Sequence, residues 1–281
     1  MGRHTLTNRD IKAYSRYLLD GEHSPGTMEK YLRDITRFSC WLDGRAVTKE
    51  LAVEWKNHLY TAGYAPVTVN AMLSSFNSLM RFLGWEDCRV KFLKIQRRLF
   101  REESRNMTRG EYMRLHTAAE KLGRDRLALL METICATGIR VSEVRYITTE
   151  AARLGKAEIA LKGKIRVILI PARLARKLLT YAKKQKIDSG IIFRTERGRE
   201  LNRRQIWAEM KALCQYAGVA PSKVFPHNLR HLFATVFYRT YRDIAKLADL
   251  LGHSSIETTR IYLMTSGMEH RRQLERLGLV L

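Results

Sequence analysis

Acidic side chains are scarce in this 281-residue chain: 28 Asp and Glu stand against 51 Lys and Arg, a formal net charge of +23. A surplus of that size works against compactness by self-repulsion, and it suits a polyanionic partner. Nucleic acid is the first such partner. An anionic membrane surface is the second, although no single strongly amphipathic basic helix stands out for that role. A merely solubilising surface is the bland alternative. Other absences narrow the class further. No stretch approaches the roughly 20 apolar residues of a membrane span, and no N-terminal apolar run of leader type is seen, so a soluble, intracellular protein is expected. No G-x-x-x-x-G-K-[S/T] points to ATP. The four cysteines, Cys40, Cys88, Cys135 and Cys214, are far apart, with no C-x-x-C and no nearby His pair. No zinc site is therefore expected. Cys40, Cys135 and Cys214 lie in helical patterns and read as reduced core residues. There is no internal repeat and no low-complexity tract.

What is present is an ordinary core-forming composition, 45% apolar. The first hundred residues read as short helices. One runs from about Thr7 to Leu19. A second follows Ser24-Pro25 and carries Tyr31, Ile35, Phe38 and Leu42 at helical spacing. A third covers Lys49 to Ala62, and a fourth begins near Pro66, a favoured first-turn position, and runs to Leu83 before Gly84. A short fifth is expected to about Leu93. The charged stretch that follows reads as a basic linker, 97–106, between a helical domain, 1–96, and a second domain, 107–281. A solvated helix tail is the other reading of it. Thr108 and Glu111 form a capping-box pattern.

The second domain is mixed. Leu127, Leu130, Met131 and Ile134 mark a buried helix that ends at Gly138. Residues 157–161 and 165–170 read as two strands around Lys162-Gly163-Lys164, and Gly190–Phe193 as a third. Helices resume from about Arg203. The fold class is mainly α with a small antiparallel β-sheet.

Four stretches carry chemistry: Ala136-Thr-Gly-Ile-Arg-Val-Ser-Glu143, the Lys162 turn, His227-Asn-Leu-Arg-His231, and Leu251-Gly-His253 followed by Tyr262. His227 and Arg230, three apart after Pro226, share a face of a helix's first turn, near a positive helix end suited to phosphate. Leu229, Leu232, Phe233 and Val236 give that helix its buried face. Arg140 follows a helix C-cap at Gly138, and Glu143 is placed to pair with Arg140 or a neighbour. With 12 Tyr and 8 His in the chain, neither Tyr262 nor His253 is diagnostic alone. Taken singly, each motif is better read as surface charge or core packing.

Together, in this order and spacing, A-T-G-I-R-V-S-E, K-G-K, H-x-L-R-H, L-G-H-S-S and the later tyrosine resemble the catalytic signature of the tyrosine recombinase (phage integrase) family. Thr27, Tyr31, Asp34, Phe38, Trp41 and Leu42 resemble its helical, SAM-like core-binding domain, so the likeness spans nearly the whole chain. The nearest subgroup is that of the Xer-like and mobile-element integrases. The resemblance implies a site-specific DNA recombinase, with Arg140 and Arg230 clamping the scissile phosphate and Tyr262 attacking it to leave a 3′-phosphotyrosyl bond. It assigns Lys162 as general acid, with Lys164 a competitor because the hairpin is shorter than in many relatives. His227 would assist proton transfer, His253 would hydrogen-bond the phosphate, and Glu143 would be an accessory orienting residue. It implies no metal and no cofactor. The partners implied are duplex DNA bearing specific sites and, on two such sites, a homotetramer whose free form is a monomer or weakly associated. The location implied is the cytoplasm, at the nucleoid. Leu274, Leu277 and Leu279-Val-Leu281 would pack on a neighbouring protomer or on their own domain. A catalytically silent DNA-binding factor of the same fold, or a type IB topoisomerase, would share much of this pattern.

Overall fold

The computed structural model describes residues 3–95, 106–161, 164–253, 255–260 and 276. The chain divides into two compact units, residues 1–97 and 98–281.

The first unit is helical, and its starts follow local chemistry. Helix α1 (Asn8–Asp20) is opened by Thr7, whose hydroxyl accepts from the Asp10 amide while Asp10 returns the bond, a reciprocal cap. Helices α2 (Pro25–Leu42) and α4 (Pro66–Phe82) both begin at a proline, where the missing N–H has no helical partner to lose. Helix α3 (Lys49–Thr61) is capped by Thr48. Phe38 meets Phe76 edge to face at 4.8 Å and Trp55 at 5.5 Å, which centres the core on α2, α3 and α4. Asp34, buried on α2, takes Lys30 Nζ at 2.8 Å and the Ser75 hydroxyl at 2.9 Å, tying α2 to α4.

The expected fifth helix is not formed. A 3-10 turn, Glu86–Cys88, leads into an extended segment. The reason lies in two asparagines of α4. Asn77 donates to the Val90 carbonyl at 2.9 Å and accepts from its amide at 2.9 Å, and Asn70 does the same for Leu93 at 2.9 and 2.8 Å. These side chains satisfy backbone groups that a helix would otherwise pair, so the segment lies extended along α4. Cys40 is exposed, contrary to its expected place in the core, while Cys88 and Cys214 are buried. Position 40 falls on the outer side of α2, opposite the stripe of Ile35, Phe38 and Leu42.

In the second unit α6 (Asp125–Thr137) is the buried axis, with Leu127, Leu130, Met131 and Ile134 in the core. It packs on α5 (Arg109–Lys121), α8 (Ala172–Lys184) and α11 (Pro226–Tyr241). Thr108 and Glu111 make the expected reciprocal cap of α5. A 3-10 turn, Val141–Tyr146, and α7 (Thr149–Leu154) lead to the hairpin of β1 (Lys156–Leu161) and β2 (Lys164–Leu169). The strands pair antiparallel, with Ile159 opposite Arg166 and Leu161 opposite Lys164. The sheet has two strands among the described residues; Gly190–Phe193 forms a single bridge, Thr148 to Ile191, rather than a third strand. Ile192 and Phe193 are apolar because they plug the core, at 0% and 1% exposure. Helix α8, to which the sequence pattern assigns no element, buries Leu174 and Leu178 while its many basic residues face outward. Beyond it come α9 (Arg203–Lys211), α10 (Cys214–Ala217), α11, α12 (Ile244–Leu251) and α13 (Ile256–Arg260). Among the described residues no helix is long and apolar enough to cross a membrane.

Candidate active site

The site is assembled where α6, β2, α11 and α12 meet, and each contributes through its end. Helix α6 stops at Gly138, which has φ +65°. A Cβ there would lie 2.5 Å from the Phe233 ring, so glycine is required both by conformation and by space. The chain then turns, and Arg140 becomes the cap of the 3-10 turn. Glu143 folds back on it: Oε2 accepts from the Arg140 amide at 2.7 Å and Oε1 from Arg140 Nη1 at 2.9 Å. Glu143 is 2% exposed, whereas Arg140 presents 41% of its side chain to solvent. A buried carboxylate therefore aims a half-open guanidinium.

Arg230 lies one turn into α11, 1% exposed. Its Nη1 donates to the Gly138 carbonyl at 2.6 Å and its Nη2 to the Leu251 carbonyl at 2.7 Å, so it bridges the ends of α6 and α12. Nη2 also lies 2.9 Å from His253 Nε2. Because a guanidinium only donates, that ring nitrogen accepts. The His253 proton then sits on Nδ1, 2.9 Å from the Thr259 hydroxyl. Burial, followed by the charges of Arg230, Arg140 and Arg166, pushes the His253 pKa down to about 4. The ring is neutral at pH 7.

His227 and Arg230, expected to share an outward face, part company: His227 is exposed and Arg230 is buried. Val236, expected in the buried face, is 43% exposed, and that face is carried by Leu229, Leu232 and Ala234. His227 still opens onto the same cleft as Arg140 and Arg230, about 890 Å³ in volume, which Arg203, Arg204 and Trp207 also line.

Arg166 is a member of this cluster that the sequence pattern did not single out. It leaves β2 inward, ion-pairs with Glu143 (Nη2 to Oε2, 3.3 Å) and donates to the Leu251 carbonyl. Val167, Ile168, Leu169 and Ile170 are all apolar, so alternation along the strand does not reveal which face is inward. The structure does, with Ile168 and Ile170 buried and Val167 and Leu169 exposed. Arg203, Arg204 and Trp207 were also not singled out; their signal is a basic, aromatic-bearing helix start after the Asn202 cap.

Two guanidiniums, Arg140 and Arg166, thus share one buried carboxylate among the described contacts, and a third, Arg230, is held by two carbonyls beside them. In a partly desolvated cleft the residual positive charge favours an anion, and planar forks match the oxygens of a phosphodiester. Lys162, Tyr262 and the tail residues Leu274, Leu277 and 279–281 lie outside the described residues, as does linker stretch 97–105. Lys164 is described for its backbone, which closes the hairpin opposite Leu161. Elsewhere, in the first unit, His4, Asp87 and Cys88 bring three possible metal donors within 4.8 Å of one another. Burial pushes the Cys88 thiol up to about 11, and His4 stacks on Trp85 at 4.6 Å, so the group reads as packing.

The sequence matches the phage integrase family over residues 105–267 and the phage integrase N-terminal SAM-like domain over 11–87. The chain belongs to the phage integrase family. Tyrosine recombinase XerA of Thermococcus kodakarensis is 32% identical over 279 residues, 95% of this chain and 94% of that protein. A lambda integrase dimer bound to a COC′ core site has the same fold, with TM-score 0.73 at 18% identity over 92% of this chain and 95% of that one. So does a lambda integrase tetramer bound to a Holliday junction, with TM-score 0.72 at 18% identity over 93% of this chain and 78% of that one. The architecture of this integrase-family chain is accordingly the mainly helical one, with a SAM-like N-terminal domain and a catalytic domain holding the small antiparallel sheet.

Proposed function

We propose that this chain is a site-specific DNA recombinase that cuts and rejoins duplex DNA through a 3′-phosphotyrosyl intermediate on Tyr262, in integration, excision or resolution. The observation that carries this reading is the gathering of three arginines in a family member of this fold: Arg140 and Arg166 pair with the single carboxylate of Glu143, and Arg230 shares the Leu251 carbonyl with Arg166. Such a cluster is built for a phosphate, and Arg230 is held by two carbonyls before any ligand arrives. Donors fixed in advance oppose the charge that grows in the transition state without reorganisation at the moment of reaction.

The chemistry then runs through named groups. Arg140 and Arg230 clamp the non-bridging oxygens. The Tyr262 oxygen attacks phosphorus, and its proton passes toward His227; a phenol of pKa about 10 needs such a base or a cationic field at neutral pH. The bond to the 5′ oxygen breaks, and Lys162, with Lys164 as the competitor, protonates the leaving group. Neutral His253 orients Arg230, and it hydrogen-bonds the phosphate once a tautomer change moves its proton from Nδ1 to Nε2. The phosphotyrosyl ester keeps an energy related to that of the diester, so the 5′ hydroxyl reverses the step without a nucleotide.

Residues 1–96 serve as the core-binding domain, 97–106 as the basic linker and 107–281 as the catalytic domain. Four protomers act on two DNA sites, as the lambda integrase tetramer on a Holliday junction supports by likeness; the free chain is a monomer or weakly associated, in the cytoplasm at the nucleoid. Most of the affinity comes from phosphate contacts and falls with salt.

The test is to incubate the protein with nicked duplexes made from DNA flanking its gene and look for an SDS-resistant adduct. An adduct in the parent that disappears in Tyr262→Phe is expected. An adduct that survives in the variant refutes the nucleophile. Tight, salt-sensitive binding without any adduct refutes the catalytic reading in favour of a silent DNA-binding factor.

A further inference from the structure

The hairpin that carries the candidate acid has to be held against a phosphate clamp that belongs to other elements. Lys162 falls between β1 and β2 in the sequence, and Lys164 begins β2. Arg140 and Glu143 sit after α6, Arg230 on α11, and His253 after α12. A proton can be delivered only from hydrogen-bond reach, so an error of an ångström between hairpin and clamp is costly. Among the side chains described on β2, Arg166 is the one that crosses to the clamp.

Its contacts reach the Glu143 turn and the end of α12 directly, and meet Arg230 through a shared carbonyl. Arg166 Nη2 is 3.3 Å from the carboxylate oxygen of Glu143 that also receives the Arg140 amide. Its Nη1 donates to the Leu251 carbonyl, which also receives Arg230 Nη2 at 2.7 Å. Its chain runs beneath Gly252, whose added Cβ would lie 2.5 Å from Arg166 Cδ. Glu143 and the Leu251 carbonyl are thus each shared between Arg166 and one of the clamping arginines. Arg166 is only 14% exposed, a large desolvation cost for a residue that serves the surface alone.

We propose that Arg166 is a positioning residue for proton transfer: it locks the β1–β2 hairpin to the arginine clamp, so that the hairpin lysine meets the 5′ oxygen of the phosphate the clamp holds. This inference rests on the tyrosine recombinase reading above. The step it serves balances simply. The Tyr262 oxygen–phosphorus bond forms, the phosphorus–O5′ bond breaks, the phenol proton goes toward His227, and the lysine ammonium gives a proton to O5′. If the leaving atom is sulfur, a thiolate departs without that proton, and the lysine is no longer needed.

That difference supplies the experiment. Single-turnover cleavage by the full chain is measured on a nicked duplex with an ordinary 5′ oxygen and on the same duplex with a 5′-bridging sulfur, for the parent and for Arg166→Ala, Arg166→Lys, Lys162→Ala, Lys164→Ala and Arg140→Ala. Folding is followed by thermal melting, and DNA affinity is measured separately. A lost general acid slows cleavage by about 10²- to 10⁴-fold. Arg166→Ala is expected to be slower by about 10²-fold on oxygen and within about threefold of the parent on sulfur. DNA affinity should stay within about threefold, because the clamp itself is intact. Arg166→Lys, which keeps one donor toward Leu251 or Glu143, should recover part of the oxygen rate.

Equal slowing of Arg166→Ala on both substrates, as Arg140→Ala should show, overturns the proposal in favour of a role in the clamp or in folding. Parent-like rates on both substrates also overturn it. If sulfur rescues neither Lys162→Ala nor Lys164→Ala, no hairpin lysine is the acid, and the reading beneath the proposal fails with it. That outcome is told apart from failure of Arg166 alone, in which one lysine variant is rescued and Arg166→Ala is not.

Discussion

Arg230 donates to His253 Nε2 across 2.9 Å, so a buried cation fixes the tautomer of the histidine beside it. The pairing has a consequence for stability. The His253 pKa is lowered from 6.5 to about 4, first by burial and then by Arg230 and its neighbours. Above pH 6.5 the ring is neutral whether the chain is folded or not, and it makes no pH-dependent contribution. As pH falls through 6.5 the unfolded chain takes up the proton and the folded chain refuses it, so stability declines, and the decline ends below about 4, where both forms are protonated. The melting temperature of the parent is expected to drop more steeply between pH 6.5 and 4 than that of His253→Gln. Parallel curves would refute the assignment.

Replacing Arg230 should cost both fold and function. Its guanidinium donates to the carbonyls of Gly138 and Leu251; in Arg230→Ala the Gly138 carbonyl loses that donor, while the Leu251 carbonyl keeps Arg166. An abandoned buried acceptor costs about 1–3 kcal/mol. Arg230→Ala is therefore expected to melt markedly lower, by calorimetry, and to lose adduct formation by at least ~10²-fold. Arg230→Lys keeps the charge but not the fork, since an ammonium is a point charge. It should recover more of the melting temperature than of the cleavage rate. Equal recovery of both would mean that charge alone matters here.

Glu143 holds two guanidiniums, Arg140 at 2.9 Å and Arg166 at 3.3 Å, from a position 2% exposed. Removing its charge leaves those cations facing each other with no carboxylate between them. Breaking a buried pair in this way typically costs ~3–5 kcal/mol. Glu143→Gln is expected to melt lower than the parent, and sulfate at constant ionic strength should raise its melting temperature more than the parent's, because the anion takes the vacated role. A sulfate effect equal in both proteins would show that the arginines are neutralised elsewhere.

Most of the helical frame was legible in the sequence, because its signals are local. Pro25, Pro66 and the Thr108–Glu111 box mark helix starts that the structure reproduces. The failures have non-local causes. Asn70 and Asn77, set on α4 and reaching segments 23 and 13 residues on, unmake the expected fifth helix. Phe193 looks like strand because it is apolar, but its apolarity serves the core. At the site the motifs located Arg140, His227, Arg230 and His253, and three of these, Arg140, Arg230 and His253, converge in direct contact with Glu143, Gly138, Leu251 or one another. Arg166 stayed hidden because both faces of its strand are apolar, and only the packing of Ile168 distinguishes them. The burial of Arg230 was hidden for a similar reason. Helical spacing places it near His227 but does not tell a side chain that stays outside from one that passes between two helix ends.

Gly252 offers a test of whether that hidden arginine matters to the chemistry. It caps α12 with φ +62°, and its Cβ in an alanine variant would fall 2.5 Å from Arg166 Cδ and 2.6 Å from Nη1. Gly155 caps α7 with nearly the same backbone, φ +69°, but a Cβ there meets nothing nearer than the Ile170 carbonyl at 3.8 Å. Left-handed backbone costs a non-glycine residue roughly 1–2 kcal/mol, so both Gly155→Ala and Gly252→Ala should lose that much stability by denaturant unfolding. The added methyl at 252 must in addition push the Arg166 chain out of its slot, away from Glu143 or from Leu251. Cleavage by Gly252→Ala is expected to fall by at least ~10-fold at saturating DNA, as a one-ångström misplacement at a catalytic centre commonly costs, while Gly155→Ala keeps the parent rate. Equal cleavage rates in the two variants would mean that the Arg166 slot bears on the fold but not on the reaction.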